Sequence, residues 1–224
     1  MVRKTLEALA EGMLFFEGQL RDRGFKRVAG IDEVGRGPLA GPVVAAAVVL
    51  PPDVDLPAVR DSKELKPSQR EACCREILSC ASDVGLGCIG PSEIDRINIL
   101  QATFQAMLLA VQALKSPPDF LLIDGPYKLR MEIHQEGIPK GDKRSLSIAA
   151  ASIVAKVHRD RLLSDYHQRY PMYGFDRNKG YGTAQHLQAL REYGPCPIHR
   201  LSFRGVLAVS GDGVKEDGDP STKR

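Results

Sequence analysis

Residues 28–43 read Val-Ala-Gly-Ile-Asp-Glu-Val-Gly-Arg-Gly-Pro-Leu-Ala-Gly-Pro-Val. Two adjacent carboxylates, Asp32 and Glu33, sit inside an apolar run. A Gly35-Arg36-Gly37 turn follows, and a second apolar run extends to Leu50. Short apolar runs bounded by turn residues are the pattern of strands buried on both faces. Residues 26–33 and 41–50 are therefore expected to be two buried strands joined by the glycine turn. Burying an ionised carboxylate without a partner costs roughly several kcal/mol or more. Asp32 and Glu33 must then be paired, protonated or holding a cation. The glycine turn beside them can bring bare backbone N–H groups and an arginine against a phosphate chain. A cation beside a phosphate chain points to phosphodiester chemistry.

Working outward, residues 5–23 place Leu6, Leu9, Met13, Phe16 and Leu20 at helical spacing, with an end near Gly24. A helix is expected from Pro67 to Cys80 and a strand over 83–90. One long helix is expected from Ser92 to about Leu114, with a capping-box start at Ser92 and Asp95. Phe120-Leu-Leu-Ile-Asp124 reads as a strand, Tyr127 to Pro139 as a turn or hairpin region, and 147–170 as a helix. Gly174 to Gly182 reads as a flexible loop, and Thr183 as the cap of a short helix stopped by Gly194. The order of elements is that of an α/β fold: a mixed central sheet flanked by helices, with a helical C-terminal portion. The expected organisation is an N-terminal helical extension over 1–25, a catalytic domain over 26–209, and a disordered tail over 210–224. In that tail Asp212, Glu216, Asp217 and Asp219 outnumber Lys215, Lys223 and Arg224.

The chain has 224 residues and a formal net charge of +3, which permits a nucleic-acid partner without demanding one. Its five cysteines form no C-x-x-C pair, so buried, reduced thiols are expected rather than a zinc site or disulfides. No apolar run is long enough for a membrane helix, and the first residues carry Glu7 and Glu11 rather than a signal-peptide core. A cytoplasmic protein is the expectation.

Asp124, at the carboxyl end of a strand, and Asp142, in a Lys-Gly-Asp loop, join Asp32 and Glu33 as candidate ligands. Ligand sites in open α/β sheets gather at such strand ends. Carboxylates without histidine or cysteine favour Mg²⁺ or Mn²⁺, and two such ions would suit an in-line displacement. Taken singly, Asp124 is explained by an Asp-Gly turn and Asp142 by a solvated loop. The adjacent pair has no such simple explanation, because strand side chains alternate and one of the two must enter a buried layer.

The turn also matches the dinucleotide fingerprint G-x-G-x-x-A, with Asp53 and Asp55 about twenty residues on. That fingerprint must open a helix, whereas a Val/Ala run follows here. Asp61-Ser62-Lys63 precedes a helix and suits a phosphate as well as it suits a solvated cap. Lys140, Lys143, Arg144, Lys156, Arg159, Lys179, Arg200 and Arg204 supply positive charge, most simply at the surface. Tyr181, between two glycines, can present its ring to a sugar or base, or simply pack over its loop. His199-Arg200-Leu-Ser202-Phe203 fits either a functional segment or a packed corner. A nucleic-acid-binding module without chemistry remains the alternative to an enzyme.

Together these segments closely resemble ribonuclease HII, the bacterial type 2 ribonuclease H, from about Val28 to Val206. The motifs are the quoted stretch from Gly30, Asp61-Ser-Lys, Ile123-Asp-Gly, Lys140-Gly-Asp, Ala149-Ala-Ala-Ser-Ile-Val-Ala-Lys, Lys179-Gly-Tyr-Gly-Thr and His199-Arg-Leu-Ser-Phe. The resemblance implies a ribonuclease H-like fold and Mg²⁺- or Mn²⁺-dependent cleavage of RNA in RNA–DNA hybrids. It also implies incision 5′ of single ribonucleotides in duplex DNA, leaving 3′-hydroxyl and 5′-phosphate ends. It assigns the metal to Asp32, Glu33, Asp124 and Asp142, and 2′-hydroxyl sensing to Gly35, Arg36 and Gly37. It assigns phosphate contact to Ser62 and Lys63, and stacking under the neighbouring deoxyribose to Tyr181. A monomer is expected. No replication-clamp-binding segment is recognisable in the tail.

Overall fold

In the computed structural model, residues 12–56, 58–59 and 65–207 are described. The expected helical residues before Gly12, the Ser62-Lys63 pair and the 210–224 tail lie outside them. Helix α1 (Phe15–Asp22) leads into strands β1 (Val28–Val34) and β2 (Val43–Val49). Helix α2 (Pro67–Cys80), strand β3 (Asp83–Ile89) and helices α3 (Pro91–Ile97) and α4 (Ile99–Gln112) follow. Then come β4 (Phe120–Asp124), β5 (His134–Ile138), a 3-10 turn over Gly141–Lys143 and the 24-residue α5 (Leu146–Arg169). A second 3-10 turn (Pro171–Tyr173), a four-residue helix α6 (Phe175–Asn178) and α7 (Ala184–Tyr193) complete the C-terminal portion.

The sheet runs β3-β2-β1-β4-β5. The first three strands pair antiparallel, whereas β1, β4 and β5 run parallel. The expected mixed sheet is therefore present. The all-apolar Val-Val-Ala-Ala-Ala-Val-Val of β2 is central and buried on both faces. Alternate residues of β1 and β2 (Ala29, Ile31, Ala45, Ala47) pack against α4, and the others (Val44, Ala46, Val48) against α2 and α5. Gly30 marks the closest approach of α5: a Cβ there would lie 2.1 Å from the Ser147 carbonyl carbon. Only a missing side chain lets the start of α5 lie this close to β1.

Four expectations need correction. The helix expected over 92–114 is two helices, broken at Asn98, whose φ of +68° no helix accommodates. Its start is capped by Gly90 with Pro91 following, not by Ser92. The Tyr127–Pro139 region contains an edge strand, β5, with a polar, weakly patterned sequence that pairing to β4 organises. The loop expected over 174–182 contains α6 and is tied to the rest: Gly180 O accepts from Leu39 N at 2.8 Å. All five cysteines are free, but only Cys73 and Cys74 are buried as expected; Cys80 and Cys196 are partly buried and Cys88, on β3, is exposed.

Candidate active site

The parallel strands β1, β4 and β5 end at one edge of the sheet. Register pairs Ile31 with Ile123 and Asp124 with Ile138, so Asp32 and Asp124 follow side by side at the carboxyl ends of adjacent strands. Gly141, in the turn after β5, donates its N–H to Asp124 Oδ1 at 2.6 Å, which brings Asp142 to the same edge. Asp142 is buried in its 3-10 turn. By strand alternation Asp32 points toward α5, and Glu33 begins on the opposite face.

Burial pushes the Asp32 carboxyl well above the usual carboxylate range, and repulsion from Glu33 and Asp124 adds to that; a Ser152 hydrogen bond and the Glu33 N–H work against it. Glu33 is also raised, first by burial, with Arg36 opposing and Asp124 reinforcing the shift. Arg36 reaches Glu33 at 3.4 Å with its own side chain 41% exposed, so it partly balances that acid, and among the described residues no cation acts on Asp32. Among the described residues, no three acidic, histidine or cysteine side chains close around one point. The donor set nevertheless fits hard cations. It is all oxygen, it contains a buried carboxyl whose charged form is disfavoured by two other acids, and positive charge there would reverse that penalty.

The Gly35-Arg36-Gly37 turn is built from below. Arg159 and Arg200 are wholly buried. Arg200 donates to the carbonyls of Gly35 (2.6 Å), Arg36 (3.0 Å) and Gly41 (2.9 Å). Arg159 donates to those of Ala40 (3.0 Å), Pro42 (2.9 Å) and Lys179 (2.9 Å). Gly35 has φ +92°, and a Cβ on it would come within 2.3 Å of Arg159 Nε, so this position requires glycine twice over. The expectation that these two arginines are surface charges is wrong. Their partners are backbone carbonyls of a distant loop, which local spacing does not reveal.

Tyr181 sits beside this turn, 49% exposed; a Cβ on Gly37 would stand 3.8 Å from its Cε1. Its backbone is fixed while its ring is open to solvent. Tyr181 N donates to Asn178 O at 2.9 Å, and its carbonyl lies 2.8 Å from His186 Nδ1. His186 Nε2 in turn lies 2.9 Å from His199 Nε2, and His199 Nδ1 accepts from Cys196 N at 2.9 Å. The His199–Phe203 segment is thus a packed corner that holds the loop carrying Tyr181. Asp95, read from the sequence as part of a helix cap, instead accepts from Leu201 N and Ser202 N and secures that corner. The dinucleotide reading fails, since β2 and not a helix follows the glycines. Sequence reasoning also missed Ser152 and Glu17. Glu17 is an acid buried in α1, and its place between Phe16 and Leu20 on the inward side of the helix was the one available signal.

The family model described as Ribonuclease HII matches residues 29–206. The chain belongs to the ribonuclease HII family. A ribonuclease HII from Syntrophobacter fumaroxidans is 70% identical over 215 residues, covering 96% of this chain and 92% of the relative. The crystal structure of the ribonuclease H2 from Pyrococcus horikoshii OT3 superposes with a TM-score of 0.70 at 27% identity, over 82% of this chain and 96% of that one. A Bst-RNase HIII solved in complex with Mn²⁺ shares the fold, with a TM-score of 0.65 at 19% identity over 83% of this chain and 70% of that one. Membership of the ribonuclease HII family makes the protein an endoribonuclease of the ribonuclease H type, a divalent-metal-dependent hydrolase of RNA–DNA hybrids. The alternative of a binding module without chemistry falls with that. No helix of the described residues is long and apolar enough to cross a membrane.

Proposed function

We propose that this protein incises duplex DNA 5′ of a single embedded ribonucleotide, leaving 3′-hydroxyl and 5′-phosphate ends, as well as cutting longer hybrids. Asp32, Glu33, Asp124 and Asp142 hold the divalent ions. When bound, those ions would supply an activated water and stabilise the leaving oxygen in an in-line displacement. The chain's own part is recognition and alignment. With the carbonyls of Gly35 and Arg36 drawn inward by Arg200, the N–H edge of the turn is left to face a bound strand. A 2′-hydroxyl is both donor and acceptor, and it is the one group that separates RNA from DNA at a sugar. A rigid backbone turn reads it without reading the base. The Tyr181 ring stacks under the next sugar, where a second hydroxyl finds no room, and so favours an RNA-to-DNA step. Ser62 and Lys63 contribute phosphate contacts, and the enzyme acts as a monomer in the cytoplasm.

The observation that carries this reading is the adjacency of Gly37 and the solvent-facing Tyr181 ring. It joins a sugar-sensing turn to a stacking surface one residue-width away. The test uses three otherwise identical duplexes: all DNA, one ribonucleotide, and a full RNA–DNA hybrid, each with Mg²⁺ or Mn²⁺. The expected result is one nick on the 5′ side of the lone ribonucleotide, hybrid cleavage, and intact DNA. Cleavage of the hybrid with no nick at the lone ribonucleotide would sink the proposal while leaving the family assignment in place.

A further inference from the structure

The N-terminal helix precedes the family match at residue 29, yet it is bolted to the loop that carries Asp142. Glu17 is 1% exposed. Its Oε1 accepts from Ser145 Oγ at 2.6 Å, Ser147 Oγ at 2.6 Å and Ser147 N at 2.9 Å. Leu146 N donates to Met13 O at 2.7 Å, a second tie to the same segment. All these groups belong to the first turn of α5, where a 24-residue helix presents unsatisfied N–H groups and the positive end of its dipole.

The contact continues into the site. Ser145, the residue capping α5, donates its N–H to Gly141 O at 2.9 Å. Gly141 N–H in turn holds Asp124 Oδ1 at 2.6 Å, and Asp142 is the next residue. Three steps thus join Glu17 to two of the carboxylates assigned to the metal. Among the described residues, Glu17 Oε2 is buried and meets no hydrogen-bond partner. A buried oxygen left unpaired gives up its hydration without replacement, so this carboxylate is a poor choice if its purpose were stability alone.

We infer that Glu17 is a positioning residue for the metal centre, fixing through Ser145 and Gly141 where Asp124 and Asp142 present their oxygens. This rests on the reading that those two acids bind the ions. Outer partners that orient metal ligands characteristically change affinity by about 10–100-fold when removed. A simple helix cap would change thermal stability and leave metal affinity alone.

Mn²⁺ titrated into the full-length protein, followed by loss of the free-ion EPR signal, reads affinity without any turnover. Glu17→Ala is expected to weaken Mn²⁺ binding by about tenfold, and Glu17→Gln, which retains an acceptor, by less. The Mn²⁺ concentration giving half-maximal incision should rise in parallel. Affinity within about twofold of the parent in both variants, whatever happens to Tm, overturns the inference. If Glu17→Ala does not fold, Glu17→Gln decides by the same threshold. Asp124→Asn serves as the control for the underlying reading. Parental Mn²⁺ affinity in that variant would remove the metal assignment itself, and a loss there beside unaffected Glu17 variants would remove only the role of Glu17.

Discussion

Arg159 and Arg200 each give up hydration for three carbonyl oxygens and have no carboxylate among those partners. Burial, and for Arg200 the neighbouring Arg159, push both guanidiniums below their ordinary range, Arg200 to about 9. That strain is tolerable because a planar guanidinium can serve several carbonyls at fixed angles, which a lysine cannot. The histidine relay above them depends on neutral rings. A carbonyl only accepts, so His186 Nδ1 carries a proton, and His199 Nε2–H then donates to His186 Nε2. Burial and the facing His186 push His199 down to about 4, and burial lowers His186. The unfolded chain therefore binds protons that the folded one refuses. Stability should fall as pH drops from the ordinary histidine value of 6.5 toward about 4. The measurement is urea unfolding across that interval for the parent and His199→Gln; the parent should lose more, and parallel curves would refute it. Tyr181→Ala should spare duplex binding but lower the preference for a lone ribonucleotide over hybrid by about tenfold, given roughly 1–3 kcal/mol per stacked group. A ratio of cutting rates equal to the parent's would show that the ring does not stack.

Helix and strand boundaries were legible wherever local pattern and tertiary demand agreed. Helix α2 begins and ends where Pro67 and Cys80 were expected, and Thr183 caps α7, accepting from His186 N at 3.3 Å. The break at Asn98 was hidden because apolar spacing runs on through it, and the residue is both the end of α3 and the cap of α4. Its Oδ1 accepts from Leu100 N at 3.0 Å and Gln101 N at 3.1 Å. Asn98→Ala removes that cap, while the Cβ at φ +68° is common to both residues. The expected loss is about 1 kcal/mol in equilibrium unfolding, from capping alone; a loss under about 0.5 kcal/mol would mean the kink is held elsewhere. Strand β5 was illegible for the opposite reason. His-Gln-Glu-Gly-Ile has little strand preference of its own, and its place comes from β4 alongside it.

At the scale of the molecule, sequence disclosed Asp124 and Asp142 as motifs separate from the stretch that holds Asp32, Glu33 and the glycine turn, and the topology brings them together. Three parallel strands end at one edge, and that edge collects Asp32, Glu33 and Asp124, with Asp142 just beyond β5. The C-terminal portion closes over the glycine turn through Leu39, Gly41 and Arg200. What the sequence could not show was support reaching the site from far along the chain: Arg159, Arg200, the histidine pair and Glu17. Each is identified only by the carbonyl, serine or ring it meets after folding. The central claim is that the four carboxylates share divalent ions at this edge. Its most direct measurement is anomalous diffraction from a crystal soaked in Mn²⁺. The account predicts Mn²⁺ peaks within coordination distance of oxygens from Asp32, Glu33, Asp124 and Asp142. Strong peaks elsewhere, with those four side chains turned away from any ion, would contradict it.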